Sequence, residues 1–417
     1  MKEKIQRIRP DKILIYALLF WVIMYLIAPV SIINKNSFSS GLYLFMGFVA
    51  FWLGTHTNIR VGRSMTKLNY NKLNNLYKLS LKISVLAIVL KYYDWFFIRG
   101  FSVGLSNFGD NIMALEDHST SLISFGAASI GAVPYLPVTL NILFPSLNNT
   151  KNKVIAIILF LMTAIGSVVT GSRFALINPL LYLTFVYLAT KCEKIITTKN
   201  IFLVLVSLFF FLIFSATLFI QRLEVQNKDV FDSTNSITGG YSDKVPASKS
   251  YQAFMHDYQE KPFLIGPAFA FVQSTQYAIH GVFEFPECKM YIDDRDRCTY
   301  GASSFLIFNK VLNFIGLGIN QKYIEESNAR PGIWSTFFYE WYLDFKWLGI
   351  PLVFFLGLLF RYWWNLVYYR GNIFYLPLVA MSSIILMLVF QLNCLAGAGM
   401  CGLVDFAIFA LYASKIS

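Results

Sequence analysis

Thr336, Glu340 and Asp344 follow one another at four-residue intervals, beside an aromatic series of Trp334, Phe337, Phe338, Trp341, Tyr342 and Phe345. The aromatic spacing of i, i+3, i+4, i+7, i+8 and i+11 is that of an amphipathic helix over 333–346, with the carboxylates on another of its faces. Two carboxylates one helical turn apart repel, so the pattern is costly unless a cation, a proton-accepting role or a bound substrate offsets it. Glu340 and Asp344 are therefore candidates for a general base or an acceptor-positioning group. The same spacing also suits the solvated face of an interfacial helix whose rings form a membrane belt.

Four arginines, Arg99, Arg173, Arg222 and Arg330, stand at the ends of apolar stretches. A guanidinium stays charged at any relevant pH and forks onto two phosphate oxygens, which suits a phosphorylated lipid head group at that depth. Snorkelling or helix-end pairing also places arginines there. Arg173 closes the short Thr170-Gly171-Ser172-Arg173 turn, and Arg330 lies between Asn328 and Pro331 at the mouth of the aromatic helix. Cys288 and Cys298, ten positions apart, admit a disulfide in an oxidising compartment. The histidines, His56, His118, His256 and His280, lack metal-ligand spacing, and no phosphate loop, HExxH or GxSxG element occurs. No metal and no cofactor is expected.

Composition decides the class of scaffold that must position these residues. Of the 417 residues, 56% are hydrophobic, 17% aromatic and only 14% charged, with a mean hydropathy of +0.55. That is more apolar surface than a soluble core absorbs. The expected class is an all-α polytopic membrane protein, because helices satisfy their own backbone in lipid and no alternating ten-residue strands of a barrel appear. A net charge of +12 would suit nucleic acid, but the basic residues sit in short clusters between apolar runs, where membrane topology explains them. No nucleic-acid partner is expected.

Lys2, Lys4, Arg7, Arg9 and Lys12 hold the N-terminus in the cytoplasm by the positive-inside rule. Residues 1–220 then form an N-terminal bundle of seven apolar runs, at 13–33, 40–55, 81–97, 122–144 (bent near Pro134 and Pro137), 154–169, 174–189 and 201–220. Residues 221–346 are a long polar interruption, and residues 347–417 add three runs, at 348–360, 374–390 and 399–411. Threaded so, 19 basic residues beyond the interruption lie inside and four, Lys35, Lys91, Arg99 and Arg173, lie outside, with both termini cytoplasmic. The interruption carries 15 of the 23 acidic residues against 12 Lys and Arg, and falls outside, in the periplasm of a Gram-negative cell. Its apolar patches at 263–283 and 303–319 are either re-entrant or interfacial helices, which leaves ten spans, or an added pair that makes twelve. Asp405, inside the last run, should face the bundle or a cavity.

The pattern resembles the Wzy-type O-antigen (oligosaccharide repeat unit) polymerases. The resemblance is carried by ten to twelve spans, the GLYLFMGFVAFWLG sequence of residues 41–54, the TGSR turn at 170–173, one dominant external loop, and Asn328 followed by FYEWYLDFKWLGI at 338–350. The paired Arg-x10-Gly loop motif of some members is absent: the residues eleven after Arg99, Arg173, Arg222 and Arg330 are Asp110, Thr184, Ser233 and Trp341. Membership implies a GT-C-like glycosyltransferase of the bacterial inner membrane, working at its periplasmic face. It would move a growing glycan from undecaprenyl diphosphate to an undecaprenyl-diphosphate-linked repeat unit. The expected partners are that lipid-linked oligosaccharide, membrane lipids and a polysaccharide chain-length regulator. On this resemblance Arg99, Arg173, Arg222, Asn328, Arg330 and Tyr339 bind substrate, and Glu340 or Asp344 acts as base or positions the acceptor.

An O-antigen ligase shares the architecture and the lipid-linked donor. Ligases resemble one another in a histidine of the large loop near the following span, where this chain has Asn328-Ala329-Arg330, with His256 and His280 farther off. A flippase or transporter of lipid-linked oligosaccharide is expected to show an internal repeat and no dominant loop.

Overall fold

The structure, a computed structural model, describes residues 9–33, 37–62, 69–104, 107, 111, 114, 121–147, 149–170, 173–190, 243–258, 261–330, 335–396 and 398–416. The run at 201–220 and Arg222 lie outside the described residues. Fifteen α-helices are present among them: α1 (Pro10–Ile27), α2 (Phe38–His56), α3 (Tyr70–Tyr93), α4 (Leu122–Ser129), α5 (Tyr135–Leu143), α6 (Thr150–Thr170), α7 (Arg173–Thr190), α8 (Lys249–Asp257), α9 (Pro262–Asp294), α10 (Leu306–Phe314), α11 (Gln321–Ser327), α12 (Phe337–Phe345), α13 (Gly349–Tyr368), α14 (Leu376–Met387) and α15 (Ala398–Ile416). The described chain is helical, with a single isolated bridge, Val30 to Ala247, outside the helices.

Among the described residues three helical stretches are long and apolar enough to cross a membrane: Pro10–Ile27, Phe38–His56 and the nearly continuous Phe337–Tyr368. Leu19, Phe20, Ile23 and Leu26 on α1, Phe45 on α2, Ile157 and Leu161 on α6, Phe355 on α13 and Ile408 and Leu411 on α15 all face outward. An apolar exterior on this scale requires a lipid solvent, since water would penalise it heavily.

Local chemistry sets the helix ends. Ser37, Asn69 and Thr336 each accept backbone N–H bonds in the first turns of α2, α3 and α12. Pro10, Pro262 and Pro377 occupy first-turn positions, where a missing N–H costs nothing. The bend foreseen near Pro134 and Pro137 is a break between α4 and α5, and Pro134 immediately precedes the second helix.

Three sequence expectations need correction. The apolar patch at 263–283 is part of one 33-residue helix, α9, which runs on to Asp294 and passes through Pro267 and Pro286. The run expected to end at 360 continues to Tyr368, so Arg361 is enclosed within α13 instead of marking its end. The aromatic helix is neither a solvated face nor a membrane belt: Phe337, Phe338, Tyr339, Trp341, Tyr342 and Leu343 are all core residues. The reason is that α9, α2 and the segment just after α14 surround α12, with Phe338 on Gly47, Tyr342 on Tyr43 and Phe285, and the Phe337 N–H bonded to Val389 O at 3.0 Å. α14 is buried along nearly its whole length and forms the centre of the bundle.

α2 and α13 approach each other closely through their backbones. A Cβ placed on Gly54 would lie 2.2 Å from Phe354 O, and one on Gly357 would lie 2.7 Å from Phe51 O. Small residues at such a crossing let two helices meet without side chains between them. Gly54→Leu is expected to destabilise the protein by about 3 kcal/mol through overpacking. Gly41→Leu, where nothing lies within 4 Å, is the control and should be near neutral. Thermal midpoints in detergent measure both.

Candidate functional site

The site forms where α1 ends and α2 begins. The chain at 28–33 runs antiparallel to 243–248, with Ser31 N–H donating to Pro246 O at 2.8 Å and Ile33 N–H to Lys244 O at 3.0 Å. Gln276 Nε2 of α9 donates to Val245 O at 2.9 Å. These bonds fix Asp243 and Lys244 over the face of α9 that carries His280, Glu284 and Glu287.

Arg330 joins this group from the loop ahead of α12. Its Nη1 donates to Asp243 Oδ2 at 3.0 Å and lies 3.8 Å from Glu284 Oε1. His280 Nδ1 is 3.2 Å from the same Glu284 oxygen, and both side chains are 1% exposed. Among the described residues neither Glu284 oxygen receives an aligned hydrogen bond. Lys244 Nζ reaches Glu287 at 2.5 Å and Asp243 at 3.6 Å. Partial burial disfavours its charge, but Glu287 and Asp243 more than offset this and hold the ammonium above the ordinary lysine value.

Tyr339 and Asn328 set the position of Arg330. The Tyr339 hydroxyl donates to Asn328 Oδ1 at 2.6 Å and accepts from Ala329 N–H at 3.1 Å, while Arg330 N–H donates to Asn328 Oδ1 at 2.9 Å. A side-chain-closed turn of this kind fixes where the guanidinium leaves the backbone. Gly281 lets α9 approach the start of α12, since a Cβ there would meet Thr336 N at 3.0 Å.

Glu340 and Asp344 belong to a second polar group on the other side of α12. Side chains adjacent on a helix diverge by about 100°, so Tyr339 turns to Asn328 while Glu340 turns to Asn393, whose Nδ2 donates to Glu340 Oε2 at 3.0 Å. Asp344 is fully enclosed and saturated: Thr299 Oγ1 at 2.6 Å and the N–H groups of Gly301, Ser303 and Ser304 at 3.1, 3.0 and 2.8 Å all donate to it. The repulsion implied by the four-residue spacing is thus met by loop donors at Asp344, which pins the turn where Tyr300 and Gly301 have positive φ.

The remaining arginines are elsewhere or outside view. Arg99 Nε donates to Asp94 Oδ2 at 2.9 Å and its Nη1 to Ala114 O at 3.0 Å, stitching the turn after α3 to its own loop. Arg173 opens α7 just beyond the end of α6 at Thr170, its side chain outside the described set. Asp405 faces the bundle as expected, accepting from Ala132 N–H at 3.3 Å.

The disulfide admitted by the sequence is not formed; both thiols are free. Cys288 is packed in the core on α9, whereas Cys298 Sγ, in the loop beyond it, donates to Asp344 O at 2.8 Å. Burial, with Glu284 beside it, pushes the Cys288 thiol up to about 12. Maleimide at pH 8 should therefore label Cys298 at least about 100-fold faster than Cys288, because the thiolate is the nucleophile. Peptide mapping by mass spectrometry reads the ratio.

No family model, curated protein or solved structure matches the chain. Its chemistry follows from its own geometry. The sequence singles out Arg330, Asn328 and Tyr339, which the fold brings together, and offers His280 only as a distant counterpart of a ligase histidine; Asp243, Lys244 and Glu284 do not stand out in it. One signal was available: Gln273, Gln276, His280, Glu284 and Glu287 recur at i, i+3, i+7, i+11 and i+14, a polar stripe on helical period through an apolar patch.

Proposed function

We propose that the chain is an integral-membrane glycosyltransferase of O-antigen polymerase type. It transfers a growing glycan from undecaprenyl diphosphate to an undecaprenyl-diphosphate-linked repeat unit at the periplasmic face of the inner membrane. The proposed arrangement is GT-C-like, with ten to twelve spans, cytoplasmic termini and a chain-length regulator as a protein partner. One observation carries the reading: a guanidinium suited to phosphate, Arg330, lies in the same enclosed group as a carboxylate–imidazole pair, Glu284 and His280.

In the proposed step the acceptor hydroxyl oxygen attacks the anomeric carbon, and the bond from that carbon to the diphosphate oxygen breaks with its electron pair leaving on the phosphate. The hydroxyl proton passes to a base. Diphosphate leaves without protonation when fixed positive charge meets it, and Arg330 supplies such charge, with Arg173 and Arg222 as further candidates. The His280–Glu284 pair beside Arg330 is the proposed proton acceptor, and Glu340 is the alternative on the far side of α12. Asp344 acts as a positioning residue, since its oxygens are already committed. Among the described residues the group has three carboxylates, Asp243, Glu284 and Glu287, against two fixed cations, Arg330 and Lys244. Diphosphate must therefore displace Asp243 from Arg330 to bind.

A second reading, O-antigen ligase, is favoured by one observation: His280, distant in sequence, lies in the Arg330 group in space. Gene deletion separates the readings. Single repeat units capping every lipopolysaccharide core are expected for a polymerase. Bare cores with accumulated lipid-linked polymer would replace that reading with a ligase, and accumulated unflipped units would sink both.

A further inference from the structure

A second charged group occupies the opposite end of the same helices. Asp11 near the start of α1, His56 at the end of α2 and Arg361 toward the end of α13 meet about one helix length, roughly 27 Å, from the bridge at Val30 and Ala247. Asp11 is already committed: Arg9 Nε and Nη2 grip its two oxygens at 2.9 and 2.7 Å, and His56 Nδ1 lies 3.0 Å away. Arg361 is 3% exposed, and among the described residues its Nε and Nη1, sealed from solvent, have no acceptor. It lies within electrostatic range of both Arg9 and Asp11, and its guanidinium carbon is 4.6 Å from the Trp364 ring centre.

Among the described residues the group holds two fixed cations, Arg9 and the buried Arg361, against one anion, Asp11. An enclosed ion without a counterion of its own is heavily penalised, and stacking on an indole offsets only part of that. An anion with several acceptor oxygens removes the deficit. Arg9 and His56 are 34% and 52% exposed at their side chains, so the rim of the group is open to a ligand. The group also sits where the apolar stretches of α1 and α2 stop, the depth of lipid head groups. Asn365 Oδ1, one turn beyond Arg361, is a buried acceptor without a donor among the described residues, which a hydroxyl or hydrated phosphate satisfies.

We propose that Arg361, with Arg9 and His56 at the rim, binds a phosphate group at the end of the bundle opposite Arg330. The phosphate comes either from a membrane lipid or from free phosphate, and this proposal stands apart from the assignment of the Arg330 group. The test uses the full chain in neutral detergent, following its thermal midpoint against inorganic phosphate and, separately, against dioctanoyl phosphatidic acid, with sodium chloride of equal ionic strength as control. Wild type should be stabilised by at least one phosphate probe, Arg361→Gln should need at least tenfold more of it for half the effect, and Arg361→Lys should fall between. A response to inorganic phosphate identifies a free-anion site, and a response to the lipid alone identifies a head-group site. Should Arg361→Gln fail to fold, Arg361→Lys and His56→Gln take its place, each expected to weaken the response at least threefold. The proposal fails if no probe outperforms chloride, or if the variants respond as wild type does.

Discussion

Replacing Arg330 with alanine is expected to lower polymer synthesis by roughly 100- to 1,000-fold, the usual loss when one preorganised donor to developing negative charge is removed. Arg330 is the guanidinium that Asn328 and Tyr339 hold in a fixed direction, and it faces Asp243 and Glu284 instead of lipid. Arg330→Lys keeps the charge but loses the planar fork, and should retain roughly a tenth of the activity. Asp243→Asn should act in the opposite direction on binding, lowering the KM for the lipid-linked donor by about threefold, because diphosphate no longer competes with a full negative charge. Polymer in complemented deletion cells, normalised to protein in the membrane, gives the first two, and reconstituted enzyme with lipid-linked donor gives the third. Wild-type polymer from both Arg330 variants would remove Arg330 from the reaction.

Asp344→Ala is expected to cost about 4 kcal/mol of stability, since it strands several buried donors at about 1–3 kcal/mol each before partial relaxation. Thr299, Gly301, Ser303 and Ser304 all lose their acceptor, in a turn whose backbone at Tyr300 already has φ of +49°. Asp344→Asn keeps one carbonyl acceptor but sets an NH2 against donors, and should cost roughly half as much. Glu340→Gln is the contrasting variant: Glu340 is only half-buried and keeps its Asn393 contact, so stability should change by less than about 1 kcal/mol. Unfolding in detergent measures all three. An Asp344→Ala protein as stable as wild type would show that the turn is held some other way.

The aromatic series around Glu340 shows how a periodicity is read correctly and its environment missed. The spacing of Phe337, Phe338, Trp341, Tyr342 and Phe345 specifies a helix, and the helix is there. The same spacing is satisfied by a belt at a membrane surface or by a core, and the choice depends on what packs around it. Here Tyr43, Phe51, Phe285 and Phe390, distant in sequence, enclose it. Arg361 is the same case: its position at the end of an apolar run was legible, but its burial depends on the packing of α13 against α2, about 300 residues earlier.

By itself the sequence determined a helical membrane-type chain, the positions of most of its helices, and Arg330 with Asn328 and Tyr339 as residues worth watching. Those features are local or additive: hydropathy, helical period and caps act over a few turns. The tertiary structure alone decided which charges meet, bringing Asp243 to Arg330 across 87 residues and turning Asp344 into the anchor of a loop more than 40 residues away. Side-chain pairing is set by where packed helices place their faces, and a one-dimensional pattern does not contain that information.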